Sequence, residues 1–242
     1  MRVKKFLGQH FLKNKKILKF LANSLGDIKN KIVVEIGGGH GELTQFLYKK
    51  CKLFVYEIDK DLVEILKEKF PDAKIINKDF LKGDLEKFKH NYYLIGNIPY
   101  YLTGKILRKI FDIKNYPKVA VLTLQKEYGE KILGLPHKNF LSVWVSIWCK
   151  PEKLFIIKRK YFYPEPKVDS IALKFIFYKK PKIDHPENFE KFLKMLFKNP
   201  KRTIYNNLKG KIKDLEIDKN LRPHQLSFED ILKLYKNYEK GN

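Results

Sequence analysis

The chain has 242 residues and a formal net charge of +24, which is enough length for one domain of ordinary size with a small appendage and far more positive charge than solubility requires. The charge predicts a polyanionic partner, and an aromatic content of 14% excludes a disordered polybasic tail. Cys51 and Cys149 are not spaced as a disulfide framework or a zinc site, and no apolar run is long enough to cross a membrane, so a cytoplasmic protein without a metal is expected.

A glycine-rich turn is the first strong pattern in chain order. Residues 31–36 form an apolar run typical of a buried parallel strand, and Gly37-Gly38-Gly39-His40-Gly41 follows directly, before a helix expected to begin near Glu42. The spacing GxGxG differs from the GxGxxG of dinucleotide binders, and no Gly-Lys-Ser/Thr follows as in a P-loop. One interpretation of this glycine-rich segment is a flexible turn. The other is a binding site, and its glycine spacing then predicts a ligand without pyrophosphate. The carboxylate of Glu35 favours a cationic ligand, such as the sulfonium of S-adenosylmethionine.

The next two predicted strands are each followed by an acidic residue. Strand 53–56 ends in Glu57, twenty positions after Gly37, where an acid would bind a ribose diol. Strand 74–76 is followed by Asp79, which can accept a hydrogen bond from the adenine amine of a cofactor while Phe80 lies beside the ring. The alternative for Asp79 is an ordinary helix cap.

The fourth predicted strand, residues 92–95, leads into Gly96-Asn97-Ile98-Pro99-Tyr100. The amide oxygen of Asn97 and the carbonyl oxygen of Ile98 could accept the two hydrogens of an exocyclic amine, and the ring of Tyr100 could cover the face of a base. The alternative is a strand-ending turn with Tyr100 in the core. Because the carboxyl ends of the strands in an open parallel sheet converge on one crevice, we predict a nucleobase amine as substrate there.

The rest of the pattern continues the α/β alternation and ends in helices. Further helices are expected over residues 17–25, 61–70, 103–111, 189–197 and 228–238, and further strands over residues 119–124, 153–157 and 171–178. Residues 140–149 fit either a helix or a strand, and the helix is favoured because their period is not cleanly two. Residues 158–167 interleave cations with aromatic rings, which is typical of nucleic-acid binding or, alternatively, a proline-stiffened hairpin. Residues 181–242 hold 14 basic and 9 acidic residues, which leaves +19 of the charge of +24 for residues 1–180. We predict a domain over 1–180 that carries the site and a small helical domain over 181–242.

Eight segments spread over nearly the whole chain match one enzyme family. They are Leu7-Gly8-Gln9-His10-Phe11-Leu12, Val34-Glu35-Ile36-Gly37-Gly38-Gly39, Tyr56-Glu57-Ile58-Asp59, Lys78-Asp79, Gly96-Asn97-Ile98-Pro99-Tyr100, Gln125-Lys126-Glu127, Phe162-Tyr163-Pro164-Glu165-Pro166-Lys167-Val168-Asp169-Ser170 and Gln225-Leu226-Ser227-Phe228-Glu229-Asp230. On these segments the chain resembles the rRNA adenine N6,N6-dimethyltransferases. That family contains small-subunit enzymes tied to kasugamycin sensitivity and the erythromycin-resistance methylases of the large subunit.

The resemblance implies a Rossmann-like class I methyltransferase sheet in the first domain and a small C-terminal all-α domain that binds rRNA. It implies S-adenosylmethionine as the cofactor, with contacts on His10, Leu12, Gly37, Gly39, Glu57, Ile58, Asp79, Phe80 and Asn97. The target adenine would lie between Tyr100 and Phe162, and Asn97, Ile98 and Pro99 would complete the catalytic group.

Three functions stay open on these residues. The favoured one is dimethylation of two adjacent adenines in the 3′-terminal hairpin loop of small-subunit (16S) rRNA by a monomer, on a small ribosomal subunit or its precursor, because Gln125-Lys126-Glu127 resembles that branch. The second is a resistance-type methylase of one large-subunit (23S) adenine. The third is a non-catalytic nucleic-acid-binding factor on the same scaffold, against which Glu57, Asp79 and Asn97 all argue.

Two positions depart from the family pattern. His10 stands where the family commonly has Asn, which affects one expected cofactor contact. Pro200 interrupts the basic run expected in the helical domain, which would weaken contacts with rRNA there.

Overall fold

The computed structural model describes residues 9–112, 114–212 and 217–240. The motif residues Leu7 and Gly8 lie outside the described residues. The strands are β1 (Phe11–Leu12), β2 (Ile32–Ile36), β3 (Lys52–Glu57), β4 (Lys74–Asn77), β5 (Tyr92–Asn97), β6 (Val119–Gln125), β7 (Cys149–Ile157), β8 (Phe162–Tyr163) and β9 (Ser170–Phe177). The helices are α1 (Lys15–Asn23), α2 (Thr44–Leu47), α3 (Lys60–Lys69), α4 (Thr103–Ile110), α5 (Lys126–Ile132), α6 (Phe140–Ser146), α7 (Pro186–Leu196), α8 (Ile204–Leu208) and α9 (Phe228–Lys240).

Within the described residues, seven strands form one sheet in the order β4-β3-β2-β5-β6-β9-β7, and β1 pairs with β8 in a separate two-stranded sheet. The strands from β4 to β6 are parallel to their neighbours, and β9 is antiparallel to β6. The apolar runs that predicted buried parallel strands are therefore confirmed, as is the α/β class.

The register of the sheet brings the predicted site residues to one edge. Ile36, the last residue of β2, pairs with Tyr56 on one side and with Gly96 on the other. Gly37, Glu57 and Asn97 consequently follow at the carboxyl edge of three adjacent strands. A Cβ atom at Gly96 would lie 2.9 Å from the Ile36 carbonyl oxygen, so the close approach of β5 to β2 at this residue requires glycine.

The chain divides into two compact units by its internal contacts. The first extends to Gly129 and resumes over Lys150–Lys179, and the second comprises Glu130–Cys149 and the chain from Lys180 onward. The prediction placed residues 130–149 in the first domain, whereas the structure groups them with the second unit. Two hydrogen bonds are among the contacts that join these residues to the rest of that unit, from Lys138 Nζ to the Leu226 carbonyl and from the Lys182 N–H to the Ile147 carbonyl at 2.8 Å.

The second unit is helical and has its own core. Phe189 and Phe192 of α7 are fully buried, and the ring of Phe189 meets that of Tyr235 on α9 edge-on at 5.0 Å. The segment over residues 140–149, predicted as helix, is α6 as far as Ser146, and β7 begins at Cys149. The helix predicted to begin near Glu42 is the four-residue α2. None of the helices in the described ranges combines the length and apolar character needed to span a bilayer.

Candidate active site

A cavity of about 360 Å³ lies at the carboxyl edge of β2, β3 and β5, within the first unit. Its volume is typical of a small-molecule site. Of the predicted site residues, those that line the cavity are His10, Leu12, Gly37, Gly39, Glu57, Ile58, Asp79, Phe80, Asn97, Ile98, Pro99 and Tyr100. The predicted convergence of strand ends thus exists in the folded chain.

In the turn after β2, the backbone at Gly37 borders the cavity directly. Gly37 has φ +72°, a conformation that strains residues with side chains, and a Cβ atom there would meet nothing within 4 Å. The Gly37 N–H donates to the Tyr56 carbonyl at 2.9 Å, which ties the turn to β3. The turn is therefore fixed in a shape that leaves room for a ligand against its backbone.

Glu57 is held by backbone donors from both sides. Its Oε2 accepts from the Gly39 N–H at 2.9 Å, and its Oε1 accepts from the Asp59 N–H at 2.9 Å. Burial raises the pKa of this carboxyl group, and the backbone N–H groups oppose that rise. Each carboxylate oxygen keeps a second lone pair, so Glu57 can accept from two vicinal hydroxyl groups.

Three buried polar atoms around the glycine turn have no partner among the described residues with full hydrogen-bond geometry, although Thr44 lies close enough to Glu35 to lower the pKa of its carboxyl group. They are Glu35 Oε2, His40 Nε2 and Thr44 Oγ1. Burial raises the pKa of Glu35 to about 8, so its carboxyl group is largely protonated at pH 7 unless a positive charge lies nearby. The negative charge expected at Glu35 thus depends on a cationic ligand. Unpartnered buried polar groups are costly, and of the three residues only Glu35 is among the described lining of the cavity, so its carboxyl group is the one a ligand there could satisfy.

Asp79 serves as a cap and keeps one oxygen available. Its Oδ1 accepts from the Leu81 N–H at 2.9 Å, as the capping alternative proposed, while Oδ2 has no partner among the described residues. Phe80 is buried and meets the ring of Tyr56 edge-on at 5.6 Å. Both readings of Asp79 are therefore compatible with the observed geometry.

Sequence reasoning missed Lys109, which holds the loop that carries Asp79. Its Nζ donates to the carbonyls of Leu81 at 3.2 Å and Gly83 at 2.6 Å, and it lies 5.9 Å from the centre of the Phe80 ring. Burial lowers the pKa of Lys109. A lysine on α4 gives no sequence signal for this role, because the contact spans 26 to 28 residues.

The carboxamide of Asn97 has a defined orientation. Its Nδ2 donates to the His10 carbonyl oxygen at 2.7 Å. Because only the NH₂ group of an amide can donate to a carbonyl, this bond assigns the two amide positions. Oδ1 has no hydrogen-bond partner among the described residues and is the atom left to accept from a ligand. The next residue, Ile98, is anchored through its N–H to the Thr123 carbonyl at 3.1 Å.

Tyr100 is held by two neighbours. Its hydroxyl group shares a hydrogen bond with Ser170 Oγ at 2.8 Å, and the ring of His10 stacks on its ring at 5.7 Å with an interplanar angle of 27°. His10 Nδ1 lies 2.7 Å from the Pro164 carbonyl oxygen and therefore carries the ring proton. His10, predicted as a cofactor contact, thus also organises Asn97 and Tyr100. Ser170 ends the motif over residues 162–170, and no pattern in the sequence indicates its contact with Tyr100.

Phe162 occupies a different environment from Tyr100. It is 4% exposed, pairs with Leu12 across the β1–β8 sheet and belongs to the hydrophobic core of the first unit. The described lining of the cavity does not include it. The sandwich of a base between Tyr100 and Phe162 stays a prediction.

The chain matches a known protein family over almost its whole length. A model of the ribosomal RNA adenine dimethylase family matches residues 1–240. The chain is 37% identical over 259 residues to the ribosomal RNA small subunit methyltransferase A of Mycoplasma mycoides subsp. mycoides, with 97% of each chain covered. It is 37% identical over 249 residues to the protein of that name from Thermotoga neapolitana, with 100% of this chain and 94% of the relative covered.

Two solved structures share the fold over nearly the whole chain. A dimethyladenosine transferase from Plasmodium falciparum matches with a TM-score of 0.82 and 25% identity, covering 96% of this chain and 98% of the other. The 23S rRNA methyltransferase ErmE matches with a TM-score of 0.78 and 23% identity, covering 95% and 99%. The expected Rossmann-like class I methyltransferase sheet is confirmed by these two likenesses.

Proposed function

Because the chain belongs to the ribosomal RNA adenine dimethylase family, we propose that it dimethylates the exocyclic amines of two adjacent adenines in the 3′-terminal hairpin loop of small-subunit rRNA. The two relatives at 37% identity are named for the small subunit, whereas ErmE, at 23% identity, supports a common fold alone. This favours the small-subunit substrate over a large-subunit adenine.

The residues around the glycine turn fit S-adenosylmethionine as the methyl donor. Glu57 offers two buried, fixed acceptors for a ribose diol, Asp79 Oδ2 is available for an adenine amine, and Ile58, which is 51% exposed, offers an apolar surface for the ring. The unpartnered Oε2 of Glu35 gives a positive charge a counterpart. S-adenosylmethionine supplies a methyl group bonded to a positively charged sulfur.

The role of the chain's own residues in this reaction is to orient the adenine amine. In the first transfer, Asn97 Oδ1 and the Ile98 carbonyl oxygen accept the two hydrogens of the adenine amine, which favours a pyramidal nitrogen with its lone pair directed at the methyl group. In the second transfer one of the two oxygens accepts the single hydrogen that remains. Tyr100 covers one face of the base, since its ring is fixed by Ser170 and His10. On transfer of the methyl group to the amine nitrogen, the donor would leave as a neutral thioether and the nitrogen would lose its proton to water only afterwards, so no general base is required of the chain.

Access of the base to this cavity requires an adenine that is unpaired or extruded from its stack. The net charge of +19 in residues 1–180 provides attraction for the RNA backbone, and the helical unit offers a second basic surface. In this proposal the chain acts as a monomer in the cytoplasm on a small ribosomal subunit or its precursor.

The observation that carries the proposal is the orientation of Asn97, whose Nδ2 is bonded to the His10 carbonyl so that Oδ1 remains available at the cavity. We expect Asn97→Ala to lower methyl transfer to undermethylated small subunits by at least about 100-fold, the order seen when one transition-state contact is removed. S-adenosylmethionine affinity, measured by calorimetry, should change little. Asn91→Ala, in an exposed turn, is the matched control.

Primer extension across both rRNAs after incubation with the chain identifies the substrate. Stops at adjacent adenines near the 3′ end of the small-subunit rRNA support the proposal, whereas a stop in the large-subunit rRNA replaces it with the resistance-type reaction. Full turnover by Asn97→Ala would remove the assigned role of that residue. Failure of the unaltered chain to bind S-adenosylmethionine would favour a non-catalytic factor.

A further inference from the structure

Helix α1 presents two different faces. Its buried residues Leu18 and Leu21 line the cavity described above. On the opposite side Lys16 and Lys19 are exposed, and Phe20 is 53% exposed. The buried apolar face of α1 is thus separate from the face that carries this exposed ring.

The exposed aromatic surface formed by Phe20 extends to a second ring, on β7. It meets the ring of Phe155 edge-on, with ring centres 5.2 Å apart and an interplanar angle of 83°. Lys153 is exposed and precedes Phe155 by two residues, so both side chains point to the same face of the strand. We call the residues Lys16, Lys19, Phe20, Lys153 and Phe155 the Phe20 surface.

The positive charge of the Phe20 surface is not neutralised by the described part of the chain. Lys16, Lys19 and Lys153 form no ion pair with any described residue, and α1 contains no acidic residue. The nearest acid along β7, Glu152, belongs to the other face of that strand and pairs with Lys150 at 3.0 Å. Two of these cations share α1 with the exposed ring, and the third shares a strand face with its partner Phe155, so together they form a surface for a polyanion that also has a flat apolar group.

We propose that the Phe20 surface binds a single strand of RNA, with an unpaired base stacked on Phe20 and phosphates bound by Lys16, Lys19 and Lys153. Cations that follow a backbone and a ring that stacks on bases are the two elements of single-strand recognition. The proposal rests on the proposed function for its choice of RNA as the polyanion. Because α1 is about 10 Å across and its inner face lines the cavity, RNA held on its outer face lies about one helix diameter from the cavity wall.

The test compares two charge reversals of equal size. Lys16→Glu/Lys19→Glu alters the Phe20 surface, and Lys29→Glu/Lys50→Glu alters two exposed lysines of the same unit that do not line the cavity. Binding is measured by fluorescence anisotropy with a labelled single-stranded RNA 20-mer at several salt concentrations. We expect the first variant to weaken binding at least about tenfold and to reduce the slope of log affinity against log salt by about 1.4, from two lost phosphate contacts at about 0.7 each. The control should change affinity less than about threefold.

A second variant tests the stacking. Phe20→Leu keeps an apolar side chain beside Phe155 and should weaken single-strand binding about tenfold, within the range for loss of one stacked base, while leaving binding of a duplex of the same length unchanged. Equal losses for single strand and duplex, or no loss at all, would overturn the stacking role. Equal losses from the two charge reversals would overturn the assignment of the phosphate contacts.

Methyl transfer to undermethylated small subunits separates this inference from the proposed function. If the unaltered chain transfers methyl groups and the Phe20 surface variants bind RNA like the control, the surface assignment fails and the function stands. If the unaltered chain transfers none and the variants still lose RNA affinity, the function fails and the surface stands. Unchanged S-adenosylmethionine affinity and thermal unfolding confirm that α1 remains folded in the variants.

Discussion

The two halves of the candidate site are held together in different ways. In the half around Glu57, the carboxylate is fixed by N–H groups 2 and 18 residues away in sequence. In the half around Asn97, the fixing contacts span 87 residues to His10 and 70 residues from Tyr100 to Ser170. The first half is a local product of consecutive strands and turns, and the second is assembled from distant segments. We therefore expect changes in one half to affect cofactor affinity and changes in the other to affect methyl transfer.

The largest effect that separates the halves is expected from Glu57→Gln. An amide at this position must direct its NH₂ group at the N–H of either Gly39 or Asp59, which places two donors against each other in a buried site. S-adenosylmethionine affinity should fall by about 100-fold in calorimetry. Glu64→Gln, on the exposed side of α3, should leave affinity unchanged. A Glu57→Gln variant with unaltered affinity would show that the two halves are not divided as described.

In the other half, Tyr100→Ala should lower methyl transfer about 30-fold, within the range for loss of a stacked base, with little change in cofactor affinity. Tyr100→Phe keeps the ring and loses only the bond to Ser170 Oγ, so a decrease of about threefold is expected. Rates measured at saturating cofactor distinguish the two variants. Equal losses would mean that the hydroxyl group, and not the face of the ring, matters.

A smaller effect should follow from Lys109→Met, because this change removes two hydrogen bonds that restrain the loop carrying Asp79. Affinity for S-adenosylmethionine should fall about five- to tenfold, and methyl transfer at saturating cofactor should be nearly normal. Lys114→Met is the control, since Lys114 makes only a long, exposed ion pair with Glu86 at 3.9 Å. A loss of transfer rate without loss of affinity would place Lys109 in the other half.

The smallest expected effect is the release of a proton from Glu35 when S-adenosylmethionine binds. At pH 7 the raised pKa of Glu35, about 8, keeps its carboxyl group largely protonated in the free chain. A nearby sulfonium favours the charged form and lowers that pKa, so less than one proton should leave on binding. Calorimetry in two buffers of different ionisation enthalpy measures this release. S-adenosylhomocysteine, which lacks the positive sulfur, and the Glu35→Gln variant should both abolish it.

The same division explains what could be predicted from the sequence. The glycine turn, Glu57 and the meeting of four strand ends follow from apolar runs and short spacings, and the structure has them. The family match confirms the prediction of an rRNA adenine dimethylase. The second role of His10, through its carbonyl and its stacked ring, could not be predicted because it depends on contacts with Asn97 and Pro164 that exist only in the folded chain. The grouping of residues 130–149 with the helical unit was missed for the same reason.

The pairing of β1 with β8 also has a consequence for the order in which the site forms. Phe11 and Leu12 find their partner strand only at Tyr163 and Phe162, about 150 residues later. During synthesis the strands from β2 to β5 can pair as soon as residue 97 has emerged, whereas His10 and Tyr100 acquire their remaining contacts only after Pro164 and Ser170 have followed. A nascent chain thus completes the surroundings of Glu57 well before those of Asn97 and Tyr100.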